Sequence, residues 1–246
     1  MSPSNNEVTI IIPTMDNRQY LEPCVQSILA YTADVLYRII VVNNGVPGSC
    51  DWLPKTDLIT VLEAGGNRGW EGGLQLGITV TRTFSLLFLN DDTVILRTQR
   101  RWLADMLRLL EGTQVAAVGP SSNCVAGAQS RSWVCPTSQF DVRFLIGFCL
   151  LVKRAALEAV GGIDQTLPGG DDIDLSIRLR HAGWRLICAH DVVVYHYGFK
   201  TGVRVHGVAS KPGGWNSKEF TNAVTAALVA KHGRDAVNET WGTIVA

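Results

Sequence analysis

Acidic residues concentrate at two places in this chain. The first is Asn90-Asp91-Asp92, which ends the apolar run Leu86-Leu87-Phe88-Leu89. Adjacent carboxylates repel each other, and a folded chain tolerates them best around a cation. Oxygen ligands of this kind suit Mg²⁺ or Mn²⁺, ions that commonly bridge to phosphates. The same residues also suit a solvated loop in which Asp92 or Thr93 caps the next segment. The second place is Asp171-Asp172-Ile173-Asp174, three acids in four positions after Gly169-Gly170. A helix start favours negative charge there, which explains one acid more comfortably than three. His196, in Tyr195-His196-Tyr197-Gly198, closes a later apolar run. A lone histidine at a strand end is more often structural than a ligand. Here it ends a strand of a sheet whose central strand ends in carboxylates.

The elements that must position these groups follow from hydrophobic patterning. Residues 8–12 are a β-branched run stopped by Pro13, so they read as a strand. Leu21, Cys24, Val25, Ile28 and Leu29 mark one helix face, with Asp16 or Asn17 as its cap. Residues 37–42 and 58–62 are further strands, and the strand–helix–strand rhythm predicts βαβ units with a parallel sheet. The apolar run over 86–89 suits a central strand covered on both faces, and ligands bind beyond the carboxyl ends of such strands. Between them lies Gly65-Gly66-Asn67-Arg68-Gly69-Trp70-Glu71-Gly72-Gly73, whose glycines permit close approach of backbone to a ligand. The GxGxxG order of dinucleotide loops is absent. The spacing further predicts a short helix over 74–81, a helix over 99–110, a strand over 115–118, an irregular stretch over 121–137 and a buried strand over 144–152. Helices over 154–160, 171–182 and 220–231 and short strands over 185–189 and 192–195 complete the pattern. Residues 198–214 are glycine-rich and basic, which suits a flap over an anionic substrate.

Composition narrows the class. The chain has 246 residues, 46% of them hydrophobic, and a formal net charge of zero. That predicts a globular protein and gives no support for a nucleic-acid partner. The six cysteines form no CxxC pair, so a zinc knuckle is not expected, and several sit in apolar patterns as buried thiols would in a reducing compartment. No apolar run is long enough for a transmembrane segment and residues 1–7 are polar, so the expectation is a cytoplasmic protein, with peripheral membrane contact left open.

Taken together, the order of these motifs resembles the family 2 glycosyltransferases of the GT-A fold, with the short rhamnosyltransferase-like proteins as the nearest subgroup. The resemblance runs from Val8 to about Gly198. It rests on Pro13-Thr14, Val41-Val42-Asn43-Asn44-Gly45, Asn67-Arg68-Gly69-Trp70, the DxD-like Asn90-Asp91-Asp92, Gly161-Gly162-Ile163-Asp164, the 171–175 acidic segment and His196. It implies an α/β architecture: a mostly parallel, Rossmann-like nucleotide-binding sheet flanked by helices, with a small antiparallel part on the acceptor side. One domain over 1–246 would comprise a donor-binding half (1–95), a catalytic half (96–215) and a C-terminal helix and tail (216–246).

The implied reaction is transfer of a sugar, with inversion, from a UDP-, dTDP- or GDP-linked donor to a glycan or lipid-linked acceptor. By that resemblance Pro13, Thr14, Asp16 and Asn43 line the base and ribose pocket, Asn67 and Gly69 lie beside the nucleotide, and Asn90 and Asp91 contact ribose or sugar. Asp92 and His196 hold a divalent cation, Mn²⁺ or Mg²⁺, on the diphosphate. Asp172 is the general base, with Asp171 and Asp174 as supporting acids. This chain has Asn43 and Asn90 where many relatives carry Asp, and Asp171-Asp172 where Glu-Asp is usual, so the choice between Asp171 and Asp172 stays open. A nucleotidyltransferase and a catalytically silent nucleotide-sugar-binding protein are the alternatives.

Overall fold

The computed structural model describes residues 7–132, 137–198, 200 and 217–241. The chain opens with β1 (Glu7–Thr14), α1 (Arg18–Tyr31), β2 (Leu36–Asn43) and β3 (Ile59–Glu63). It continues through α2 (Gly69–Thr79), β4 (Ser85–Leu89), β5 (Thr93–Ile95), α3 (Trp102–Leu110) and β6 (Val115–Ser121). Then come β7 (Gln139–Asp141), β8 (Cys149–Lys153), α4 (Arg154–Ala159), α5 (Asp171–His181), β9 (Arg185–His196), α6 (Lys218–His232) and α7 (Arg234–Trp241). The strands form a nine-stranded sheet in the order β3-β2-β1-β4-β8-β6-β9-β5, with β7 also paired to β9.

β3, β2, β1 and β4 pair parallel, as do β6 and β9. β8 is inserted between β4 and β6 and runs against both. Its first residue, Cys149, therefore sits opposite Leu89, the last residue of β4. Because β4 delivers Asn90 to the rim at that point, the segment leading into β8 arrives at the same place.

Successive side chains of a strand point to opposite faces, and both faces are covered. Ile10 and Ile12 pack with Leu21, Val25 and Ile28 of α1 and with Trp102, Leu103 and Met106 of α3. Ile11 packs on the other face with Leu74 and Ile78 of α2 and with Leu175 and Leu179 of α5. A third cluster joins Ile173 and Ile177 of α5 to Val224 and Leu228 of α6 and Val237 of α7.

Four expectations change. The strand expected over 144–152 begins only at Cys149. The backbone N–H groups of Leu145, Ile146 and Gly147 are taken by side chains instead: Ser176 Oγ (3.3 Å), Gln129 Oε1 (2.7 Å) and Asp172 Oδ2 (3.0 Å). The two short strands over 185–195 are one continuous β9, which shifts register against β6 at Pro120/Ser121. The helix expected from residue 74 starts at Gly69, so most of the glycine-rich loop is the first turn of α2. Its glycines serve packing: a Cβ on Gly77 would lie 2.5 Å from Ile11 Cγ2, and one on Gly73 would lie 2.9 Å from Pro13 Cβ. The loosely patterned residues after 233 include a helix, α7. The flap expected over 198–214 lies almost wholly outside the described residues, as do 133–136 of the irregular stretch.

Candidate active site

The site is built where β1, β2, β4 and β9 end and where α2 and α5 begin. Asn90, Asp91 and Asp92 follow β4 directly, and each faces a different partner. Asp91 is buried, and its Oδ2 accepts from Thr14 Oγ1 (2.7 Å) and Asn17 Nδ2 (3.1 Å). It therefore ties the β4 end to the loop after β1. Of the expected caps of α1, Asp16 or Asn17, it is Asn17 that takes the N-cap position; it makes no side-chain capping bond and donates its Nδ2 to Asp91. Asp92 turns the other way: its Oδ1 lies 3.0 Å from His196 Nε2, and its Oδ2 accepts the Lys200 backbone N–H at 3.3 Å. Asn90 Nδ2 lies 3.3 Å from the same His196 nitrogen. β5 pairs antiparallel with β9, setting Thr93 opposite His196, so the register itself brings Asp92 to the imidazole.

The spacing of this pair suits two adjacent ligands of a divalent cation as well as a direct hydrogen bond. Two neighbouring ligands of a six-coordinate ion, each about 2.1 Å from it, sit about 3 Å apart. Asp92 Oδ1 and His196 Nε2 have that spacing, and both side chains are nearly inaccessible. His196 Nδ1 is buried without a hydrogen-bond partner among the described residues. Among the described residues, no three His, Cys, Asp or Glu side chains form a cage able to hold a metal.

The acids at the start of α5 separate by function. Asp172 Oδ2 accepts the Gly147 N–H at 3.0 Å, and its Oδ1 accepts the Ile173 N–H at 2.8 Å. Burial raises its carboxyl above the ordinary range, and these backbone bonds oppose the rise. Asp171 is pushed well above that range by burial and by the negative charges of Asp172 and Glu71. Asp174, expected as a supporting acid, is not part of the site. It lies two positions on, across the helix from Asp172, and is completely buried. There its oxygens meet Arg178 Nη2 (2.6 Å), Lys231 Nζ (2.6 Å) and His232 Nε2 (2.7 Å). Burial would raise its carboxyl, but the bonds from Arg178, Lys231 and His232 outweigh that and hold it low.

Two groups of residues are thus joined by one short segment. Gly147 binds Asp172, while the neighbouring Phe148 stacks on His196 with 5.2 Å between ring centres and accepts the Asn90 N–H at 2.9 Å. Gly147 also faces Trp70: a Cβ there would lie 3.5 Å from Asp172 Cβ and 4.0 Å from Trp70 Nε1.

The remaining sequence candidates line the neighbouring strand ends, but several are spent on internal bonds. Asn43 is fully buried; its Nδ2 donates to Val46 O and Glu63 Oε2, and its Oδ1 accepts from Gly45 N–H and Ser49 Oγ. An amide has two protons to donate and two lone pairs, so Asn43 shapes the loop and has nothing left for a nucleobase. Asp16, at φ +47°, accepts the Val46 N–H at 2.9 Å and braces the same loop. Asn67 is exposed and accepts the Gly69 N–H at 2.9 Å, and Gly69 adopts φ +72°. Three residues lie within the quoted motifs without a role assigned to them by sequence. Asn44 donates to Gly69 O at 3.0 Å and joins β2 to α2. Glu71 adds its charge to those that raise Asp171, and Trp70 faces Gly147. Trp70 and Glu71 share one signal, position in the first turn of α2, which a loop over 65–73 hides.

Sheet order, the reversed β8 and the acids at the strand ends define the GT-A α/β fold, and residues 4–205 match the profile of the glycosyltransferase like family 2, to which the chain belongs. Over 215 residues it is 28% identical to a pre-mycofactocin glycosyltransferase of Mycobacterium tuberculosis, with 77% of this chain and 43% of that protein covered. The chain thus spans less than half the length of that relative. It is also 23% identical over 209 residues to the glycosyltransferase AglE of Haloferax volcanii, covering 77% of this chain and 66% of the relative. Among solved structures, the mannosyltransferase PcManGT of Pyrobaculum calidifontis, in complex with GDP-Man and Mn²⁺, superposes with a TM-score of 0.61 at 20% identity, over 95% of this chain and 72% of that one. TarS 1-349 of S. aureus in complex with UDP-GlcNAc gives a TM-score of 0.66 at 13% identity, over 96% and 71%.

Proposed function

We propose that this chain is an inverting, metal-dependent glycosyltransferase that moves a sugar from a nucleotide diphosphate donor to a hydroxyl acceptor. The observation that carries the reading is the segment 146–148, which sets Asp172 at one end and the Asp92–His196 pair at the other. Asp92 and His196 would hold Mn²⁺ or Mg²⁺, the other ligands being phosphate oxygens and water, since such ions usually bind through one or two protein groups plus substrate phosphates. When bound, the ion supplies Lewis-acid neutralisation of the leaving diphosphate. Asp172 accepts the proton of the attacking hydroxyl, and the Gly147 N–H fixes the carboxylate that receives it. Inversion follows from one displacement with the base opposite the leaving group.

Pro13, Thr14, Asn67, Gly69, Asn90 and Asp91 would frame the donor, with Asp16 and Asn43 bracing the loop behind it. The neighbours' GDP-Man and UDP-GlcNAc support a nucleotide-sugar donor, carrying a hexose or a deoxyhexose. A glycan or lipid-linked acceptor and a cytoplasmic, single-domain protein complete the proposal. No helix among the described residues is long and apolar enough to cross a membrane. A nucleotidyltransferase is disfavoured because the loop after β1, Met15-Asp16-Asn17, is no glycine-rich phosphate loop. A panel of nucleoside diphosphates and nucleotide sugars, scored by thermal shift with and without Mn²⁺ and then by transfer or hydrolysis, tests the reading. Metal-dependent stabilisation followed by turnover is expected. Metal-dependent binding without turnover would leave a silent binder, and no binding to any donor would end the proposal.

A further inference from the structure

Trp70 sits in the first turn of α2, and the Asn44–Gly69 bond holds that turn to the end of β2. Its ring is half-buried against the core cluster that contains Leu74 and Leu145. Its nitrogen lies beside Gly147, the residue that clasps the base. A Cβ on that glycine would be 3.9 Å from Asp172 Oδ2 and 4.0 Å from Trp70 Nε1. One point next to Gly147 is thus within reach of both the carboxylate and the indole. An indole N–H can only donate, and a tryptophan in a folded chain usually spends it on a partner. Trp52 gives its proton to Ser49 O at 2.8 Å, and Trp102 gives its to Thr32 Oγ1 at 3.0 Å. Trp70 Nε1 has no acceptor among the described residues. Asp172 takes its donors from the backbone of Gly147 and Ile173 instead. Nor is the indole nitrogen sealed off: among the described residues, the one fully buried side-chain polar atom without a partner is His196 Nδ1. The indole therefore presents an unspent donor to the space beside the base.

We propose that Trp70 is a further substrate-binding residue: its Nε1–H donates to a hydroxyl oxygen of the sugar being transferred. This role rests on reading Asp172 as the base and Asp92–His196 as the cation pair. In a nucleotide diphosphate sugar, the transferred ring lies between the diphosphate and the attacking hydroxyl. The diphosphate belongs at the cation and the attacking hydroxyl at Asp172. Segment 146–148 joins those two ends, and Trp70 flanks it at Gly147. A donor at that place meets the sugar ring rather than the nucleobase or the phosphates. A site built to bond a hydroxyl also rejects an analogue that lacks it, because the site's own polar group is then left unpaired. Trp70 is thereby a residue that selects the sugar as well as holding it.

The test is a proton–nitrogen NMR titration of the full chain with nitrogen-15 tryptophan, in Mg²⁺. The Trp70 indole signal is assigned by its loss in Trp70→Phe and, independently, in Trp70→Tyr. The probes are UDP-GlcNAc, GDP-Man and dTDP-rhamnose, each against its own nucleoside diphosphate. A nucleotide sugar should move the Trp70 signal, and its bare nucleoside diphosphate should not. Trp70→Phe keeps an aromatic ring against the core. In calorimetry it should weaken the nucleotide sugar by about three- to tenfold, the worth of one hydrogen bond, and leave the nucleoside diphosphate unchanged. A bound nucleotide sugar that leaves the signal in place would overturn the proposal. So would a nucleoside diphosphate that moves it as far, or equal weakening of both ligands in Trp70→Phe. A moved signal in a chain that transfers no sugar would uphold the contact and remove the enzymatic reading. Binding of the nucleoside diphosphates without any nucleotide sugar would overturn both.

Discussion

Gly147 donates its backbone N–H to Asp172 Oδ2 at 3.0 Å. That bond fixes one lone pair of the carboxylate and leaves the side chain oriented before any substrate arrives. Preorientation of this kind lets a general base contribute a large factor, about 10²–10⁴ in rate. Asp172→Asn keeps the shape and removes the basicity. Transfer should fall by at least about 10², while nucleotide affinity measured by calorimetry stays within a few-fold. A variant that transfers at the parental rate would exclude Asp172 as the base.

The Asp92–His196 pair makes a separate claim about binding. Asp92→Ala and His196→Ala should each weaken Mn²⁺-dependent nucleotide binding by about tenfold or more, as ligand losses at metal sites do. Adding a chelator to the parental protein should weaken it similarly, and chelator should have little further effect on the variants. Equal affinity with and without metal in all three proteins would remove the cation from the account.

Asp174 is a matter of stability rather than chemistry. Its carboxylate is fully buried among Arg178, Lys231 and His232. Removing one partner of a buried ion network leaves the others uncompensated and costs about 3–5 kcal/mol. Asp174→Ala should lose roughly that much in urea unfolding. Because the folded state holds this carboxyl low, its contribution is present above the unfolded value of about 3.9 and disappears as pH falls through the lower folded value. The parental protein should therefore lose stability on acidification more steeply than the variant.

Asp171 has the opposite sign. Its carboxyl is held well above its ordinary value, so the folded state binds that proton more tightly than the unfolded one. The resulting stability is present below about pH 4 and is lost as pH rises through the folded value. Asp171→Asn removes the ionisable group. The variant should melt at a higher temperature than the parental chain at pH 8, and the gain should shrink towards pH 4. A pH-independent difference between the two would contradict the assignment.

Much of this arrangement is written into local patterns. The switch from Leu89 to Asn90-Asp91-Asp92 marks a buried strand reaching the rim, and the structure has β4 ending there. The β-branched run 8–12 announces a strand, and β1 is found there. What escaped depends on partners far along the chain. Leu145, Ile146 and Gly147 look like strand residues until Ser176, Gln129 and Asp172 claim their N–H groups. Gly73 looks like a ligand-facing glycine until Pro13 fills the space beside it. Asp174 resembles its acidic neighbours, and only Lys231 and His232, on a helix beyond the family match, reveal its different role.

The reversed course of β8 has a consequence for how such a chain could diversify. Because β8 runs against its neighbours, the peptide preceding it reaches the rim held mainly by side-chain clasps rather than by the ladder. A change within residues 144–148 would act on Asp172 and on His196 at once, and Leu145 and Phe148, both buried, limit what can replace them.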